Sequence, residues 1–271
     1  MELWPWDIEL ERDTSVTLDV FGKPLRVERI NPTTLRYGFG DDPQGAKLVG
    51  VSETAHKLRF VPTFGPLPLL IFPQTQLLCP SASSVRCVLR LPLHLQVGVG
   101  DKAGFKKLDE LAPPSLSRAL YGPVDSGMLC TSIHAPNASS IEEINRTAPI
   151  EQHQARPHAD EAEVSPEDTR ELVAYTYLRV RNKTEEPLQV TKVMVPAGGI
   201  SLYGSGRYVH TNEVSMRLMS AQEAELDFLK CPVPNTVPLA DLGGARTDIA
   251  PKKRHFFSHD YRSKTGLEFG F

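Results

Sequence analysis

Apolar residues recur at every second position along much of the chain. From Val85 to Val99 every odd position is apolar: Val85, Cys87, Leu89, Leu91, Leu93, Leu95, Val97 and Val99. Arg86, Arg90, His94 and Gln96 stand at even positions between them. A period of two predicts one long strand, or two bent at Pro92, with one face in a core and the other wet. Pro92 has no N–H to give a ladder, so it is expected at an edge or a bulge. Val16, Leu18 and Val20 alternate in the same way, as do Leu25 with Val27, and Leu35, Tyr37 and Phe39. Gly22-Lys23 is expected as the turn between the first two of these, of type II′ because Gly comes first. With Lys47–Val51, Lys57–Val61 and Pro68–Phe72, residues 1–103 read as an antiparallel meander of about seven strands.

The pattern changes over residues 104–122. Phe105, Leu108 and Leu111 are three apart, which predicts a short helix ended by Pro113-Pro114. Residues 123–271 return to the period of two. Leu172, Ala174, Thr176, Leu178 and Val180 share one face, and Val173, Tyr175 and Tyr177 the other. A strand largely apolar on both faces is expected at the centre of a sheet. Leu188–Val195 continues the series, and Val214–Leu218 and Ala224–Phe228 flank a hairpin expected at Ser220–Gln222. The fold class predicted is mostly β, an antiparallel β-sandwich architecture of two packed β regions joined by a short helical connector.

Composition agrees with short strands and many turns. The 271 residues include 23 prolines, against a usual share of roughly 5%. The formal charge is −3, which gives no overall attraction to nucleic acid or an anionic membrane. Charge is unevenly placed. Residues 142–171 hold nine acidic residues and three arginines, a net of −6, and read as a long exposed insertion. Lys252, Lys253, Arg254, Arg262 and Lys264 make the end of the chain basic. The two segments have the charges to attract one another, within a chain or between subunits.

The acidic opening lacks the basic and apolar pattern of a secretory signal. The longest apolar run, Phe64–Phe72, is broken by Pro66 and Pro68 and too short to span a bilayer. A cytoplasmic protein without membrane insertion is expected. The sequons at Asn137, Asn145 and Asn182 are then accidental. Cys79, Cys87, Cys130 and Cys231 form no C-x-x-C pair and are expected as free, mostly buried thiols.

Four stretches carry a family resemblance: PTFGPLPLLIFPQ at Pro62–Gln74, LPLHLQVGVG at Leu91–Gly100, ALYGPVDSGML at Ala119–Leu129, and YLRVRNKTEEPLQVTKVMVPAGGISLYG at Tyr177–Gly204. In these the chain resembles the archaeal and bacterial family catalogued as domain of unknown function 432. The resemblance implies one mostly β unit and carries no catalytic residue with it.

Candidate chemistry is sparse. Gly98-Val-Gly-Asp-Lys-Ala-Gly104 follows a strand, but its spacing is not that of a dinucleotide loop, and a tight turn explains it better. Neither a P-loop nor a G-x-S-x-G nucleophile motif occurs. His153, His158, Asp160 and Glu161 lie together, as do His255, His259 and Asp260, and have the chemistry of metal ligands. Their polar surroundings favour surface histidines, so no metal or other cofactor is expected. Phe256, Phe257 and Tyr261 interleave with the basic tail, but the stretch is short and no nucleic-acid partner is expected. The stretch Leu202–His210 (LYGSGRYVH) offers more. Gly204 and Gly206 allow sharp bending, Arg207 provides a fork for an anion, and Tyr203, Tyr208 and His210 provide rings with polar tips. A glycine hairpin covering a sheet is the competing reading of these residues.

The function expected is that of a non-catalytic protein-interaction or assembly module, self-associating through sheet edges or a sheet face. The alternative is a small-ligand-binding protein or enzyme with its site at Tyr203–His210, between the two β regions.

Overall fold

A computed structural model describes residues 7–10, 14–40, 46–51, 57–100, 105–121, 127–135, 137–138, 172–205, 208–221, 223–239 and 254–256. The first strands are β1 (Asp7–Glu9), β2 (Ser15–Val20), β3 (Lys23–Asn31), β4 (Thr34–Phe39) and β5 (Lys47–Gly50). Then come β6 (Lys57–Thr63), β7 (Leu69–Pro73), β8 (Leu77–Cys79), β9 (Ser84–Pro92), β10 (His94–Val99), β11 (Lys106–Leu111) and β12 (Ser117–Tyr121). The later strands are β13 (Met128–Ala135), β14 (Asn137–Ala138), β15 (Val173–Asn182), β16 (Leu188–Val190), β17 (Val193–Val195) and β18 (Leu202–Ser205). The last are β19 (Tyr208–Leu218), β20 (Ala224–Phe228), β21 (Val237–Pro238) and β22 (Arg254–Phe256). The helical content among the described residues is 3₁₀ only, in the turn Ala197–Gly199 and at Leu239. No helix there is long and apolar enough to cross a membrane.

The described strands form five sheets. Their orders are β2-β3-β4-β5, β1-β6-β10-β11, β12-β13-β7-β17, the pair β16-β8, and the large sheet β14-β9-β15-β19-β18-β21, with β20 on β19 and β22 on β20. Pairing is antiparallel except at β7–β13 and β15–β19, which run parallel. Three of the sheets join strands from before and after residue 123, and one apolar cluster runs from Ile8 to Leu239. The two β regions therefore share a core.

The alternating stretch at Val85–Val99 builds the corner of that core. β9 ends at Pro92, which cannot extend the ladder, and Leu93 N–H is taken by Leu172 O at 2.8 Å. The chain then leaves the large sheet and enters the second sheet as β10. Leu89, Leu91, Leu93, Leu95 and Val97 stay buried throughout, each burial contributing about 1.5–3 kcal/mol. β15 lies between β9 and β19, the central place its two apolar faces predict.

Two expectations are corrected. Residues 104–122 contain no helix where they are described; β11 pairs with β10 and β12 with β13. Val97 faces Asp109 but Gly98 faces Lys107, so Leu108 is an extra residue in a bulge. That insertion brings Phe105, Leu108 and Leu111 onto the core at a spacing of three without helical backbone. The ring of Phe105 covers Gly98, where a Cβ would stand 2.4 Å from it. The β2–β3 turn is Phe21-Gly22, not Gly22-Lys23, and both residues have positive φ, 56° and 70°, as in type I′. The reason is Pro24. A loop of residues 22–23 would need its N–H to close, whereas Lys23 N–H is free to do so.

Polar side chains tie the layers. Tyr37 on β4 donates its hydroxyl to Asp109 on β11 at 2.9 Å, and Lys47 reaches the same oxygen at 2.5 Å. Asn182 ends β15, and its amide nitrogen lies 3.1, 3.2 and 2.7 Å from the carbonyl oxygens of Cys79, Pro80 and Glu186. Its Oδ1 accepts from Thr184 N–H and hydroxyl. This sequon asparagine is 1% exposed. Asn182→Ala leaves buried carbonyls without donors and is expected to cost about 2–3 kcal/mol, read from urea unfolding. An unchanged midpoint would contradict the pinning role.

Candidate functional site

The large sheet has unlike faces. One is apolar and faces the core, with Cys87, Leu89 and Leu91 beside Ala174, Leu178 and Val180, then Val209, Val214 and Met216. The opposite face carries the chemistry. Arg90 on β9 pairs with Tyr175 on β15, Tyr175 with His210 on β19, and His210 with Tyr203 on β18. Directly opposed residues point the same way, so these four make one row across four strands.

A bulge in β19 sets the next row. Tyr175 matches His210, but Tyr177 matches Glu213, so β19 has one residue more in that interval. Asn212 holds the bulge, with its side chain accepting from Ser201 N–H at 3.0 Å and donating to Gly199 O at 3.1 Å. His210 and Glu213 are thereby both delivered to the polar face. Glu213 meets Arg179 in a two-point ion pair, Nε–Oε1 2.6 Å and Nη2–Oε2 2.9 Å.

His210 is fully buried beneath tyrosines. Its ring centroid lies 5.8 Å from that of Tyr175, 6.1 Å from Tyr177 and 6.3 Å from Tyr208. The Tyr177 hydroxyl is 3.0 Å from His210 Nδ1. Burial, with lesser effects of Cys231 and Tyr175, pushes the Tyr177 hydroxyl well above the usual phenol range, so it keeps its proton. That proton has no other acceptor among the described residues, so the hydroxyl donates and Nδ1 accepts. Burial lowers the His210 imidazole to about 4. The neutral ring then carries its proton on Nε2. Nε2 is buried and has no hydrogen-bond partner among the described residues. A strap of residues 229–236 passes beside this cluster, where Val233 and Cys231 pack with Tyr175, Tyr177 and Val88.

Three of the four residues singled out in the sequence, Tyr203, Tyr208 and His210, are thus brought together. Arg207 lies outside the described residues, as do His153, His158 and Asp160. Among the described residues no three His, Cys, Asp or Glu side chains are grouped to hold a metal ion. The sequence reading missed Tyr175, Tyr177, Arg90 and the Arg179–Glu213 pair as site residues. Their shared strand face was visible, but not the register that sets it against His210.

A second imidazole was also missed. His94 Nδ1 lies 2.7 Å from Glu110 Oε1, and Lys107 Nζ 2.5 Å from Glu110 Oε2. The contact with His94, then that with Lys107, holds the Glu110 carboxyl down at about 2 against the cost of burial. The His94 ring leans on Gly65, where a Cβ would stand 2.7 Å from it.

A family model described as Protein of unknown function (DUF432) matches residues 4–261. No curated protein and no solved structure gives a significant match.

The buried imidazole makes stability depend on pH. In the unfolded chain the ring takes a proton near pH 6.5, whereas in the folded protein it does so only near 4. Between those values only the unfolded chain binds that proton, so stability falls as pH is lowered through the window. At pH 5 the loss due to His210 is about 2 kcal/mol. Urea unfolding at pH 7 and pH 5 should show this component vanish in His210→Gln; an equal pH dependence in both proteins would refute it.

Proposed function

The chain belongs to the DUF432 family, and from that premise, which brings no activity with it, we propose that the protein is a non-catalytic binding protein for a small planar ligand bearing an acceptor oxygen. The observation that carries this reading is the His210 Nε2 donor, buried and without a partner among the described residues. A buried donor left without an acceptor costs about 1–3 kcal/mol. A carbonyl or carboxylate oxygen that reached it as the half-buried tyrosine rings moved aside would recover that cost. Tyr175, Tyr203 and Tyr208 supply half-buried rings for a flat molecule to stack on. Arg90 stands in the same row and adds positive charge.

The test is a thermal-shift screen of planar carboxylates, nucleobases and related heterocycles. A stabilising compound should lose its effect in His210→Phe, which keeps a ring but no donor, while the free protein melts within a few degrees of wild type. A screen with no stabilising compound, or one whose hits act equally on His210→Phe, would refute the site.

Self-association is a second reading, supported by a different observation. Leu120 on β12 and Leu129 on β13 face each other and are 49% and 43% exposed, with Met128 beside them at 42%. β12 is the edge of its sheet among the described strands. A second copy would cover this apolar edge. Light scattering over a dilution series should show a dimer that Leu120→Ser with Leu129→Ser dissociates; a wild-type monomer at high concentration excludes it.

A further inference from the structure

The strap that packs on the tyrosine cluster is held differently at its ends and in its middle. It leaves the large sheet after β20, where Leu229 N–H donates to Glu213 O at 2.8 Å and Glu213 N–H to Lys230 O at 3.3 Å. It returns as β21, where Val237 pairs with Gly204 and Pro238 with Tyr203 on β18. Leu239 seats that end against Gly204, where a Cβ would stand 3.1 Å from its Cδ2. Both attachments are therefore to β19 and β18, the strands that carry His210 and its neighbour Tyr203.

Between these ends, residues 231–236 hydrogen-bond only to one another among the described residues. The Cys231 sulfur accepts from Val233 N–H, and the Thr236 hydroxyl donates to Val233 O at 3.4 Å. Asn235 closes the turn at a φ of 57°. Pro232 and Pro234 fix two more φ angles, so the segment is a stiff unit. What holds it down is apolar. Val233, 8% exposed, and Cys231 pack with Val88, Tyr175 and Tyr177, whereas Pro232, Pro234 and Asn235 are exposed. A segment with two fixed ends, one buried side chain and no hydrogen bond to the surface beneath it can open while the rest of the protein stays folded.

We infer that residues 231–236 are the lid of the His210 site, lifting as a unit about Lys230 and Val237 to let a ligand reach Nε2. The gating role rests on the binding site proposed above. Tyr175 and Tyr177 couple the lid to the imidazole: both pack with Val233 and Cys231, and their ring centroids lie 5.8 and 6.1 Å from that of His210. The Tyr177 hydroxyl is tethered to His210 Nδ1. Tyr175 is half-buried and meets Tyr208 edge to face at 5.7 Å, so it is the ring that swings when Val233 lifts. Closed again over a bound ligand, the lid keeps water from the hydrogen bond at Nε2 and so strengthens it.

The test labels imidazoles in the full chain without ligand, so it stands apart from the compound screen. Diethyl pyrocarbonate acylates histidines that solvent reaches, and peptide mass spectrometry gives the rate at His210. In wild type that rate should be far below the rate at His94, which is half-buried on another sheet. Val233→Ala removes two methyl groups from the seat of the lid and should raise the His210 rate about tenfold. Pro234→Gly changes an exposed residue but gives the lifted strap more freedom, and should raise it about threefold. Val193→Ala, the same truncation at a buried position of β17, controls for general loosening and should leave it unchanged. Equal His210 rates in wild type and Val233→Ala overturn the lid. So does equal acceleration by Val193→Ala, or wild-type labelling as fast at His210 as at His94. Acceleration confined to the two strap variants supports the lid even if the compound screen fails, which refutes the ligand alone.

Discussion

One apolar face continues around a corner, and the rest of the molecule is arranged on it. Leu89 and Leu91 belong to the large sheet, Leu95 and Val97 to the second sheet, and Leu93 lies between them without exposure. Were the alternation to slip by one residue at Pro92, the second sheet would turn Gln96 and His94 inward and its leucines out. Proline without an N–H and leucine bonded to Leu172 O end one ladder and begin another without changing parity. Both sheets consequently bury their apolar sides in one space, and the face of the large sheet turned away from it is left for polar groups.

That outward face is where unmet electrostatic demands accumulate. The core side is satisfied by packing alone, but the other side holds, among the described residues, a neutral imidazole, four tyrosines, five arginines and three carboxylates within a few strands. Some of these demands are met inside the sheet, as between Arg179 and Glu213 or Tyr177 and His210. Among the described residues others are not, at His210 Nε2 and at Arg86 and Arg181. A sheet face composed in this way is less stable than an apolar one would be, a cost that the proposed binding would offset.

Much of the fold was legible in the period of two, because that period is a local property. The corner strands and the central place of β15 follow from side chains alone. Leu108 shows where local reading fails: a bulge restores the inward face after an odd number of residues, and the resulting spacing of three imitates a helix. Pro24 shows a local signal that was present but outweighed by the more familiar preference of Gly for the first turn position. The tyrosine and histidine cluster was only half legible. Tyr203, Tyr208 and His210 are close in sequence, whereas their alignment with Tyr175 and Tyr177 depends on a parallel pairing and on the β19 bulge.

The parallel pairing of β15 with β19 has a consequence for the nascent chain. β15 reaches back to β9, a strand finished long before it, and forward to a strand that antiparallel hairpins cannot supply. On the ribosome, β9 and its leucines therefore wait without their neighbour until β15 emerges, and β15 in turn until β19 has been made. Slow closure of this kind leaves greasy, half-paired ribbons open to the wrong strands. Chaperone demand during synthesis should thus be concentrated in the interval between these two strands, rather than spread evenly along translation.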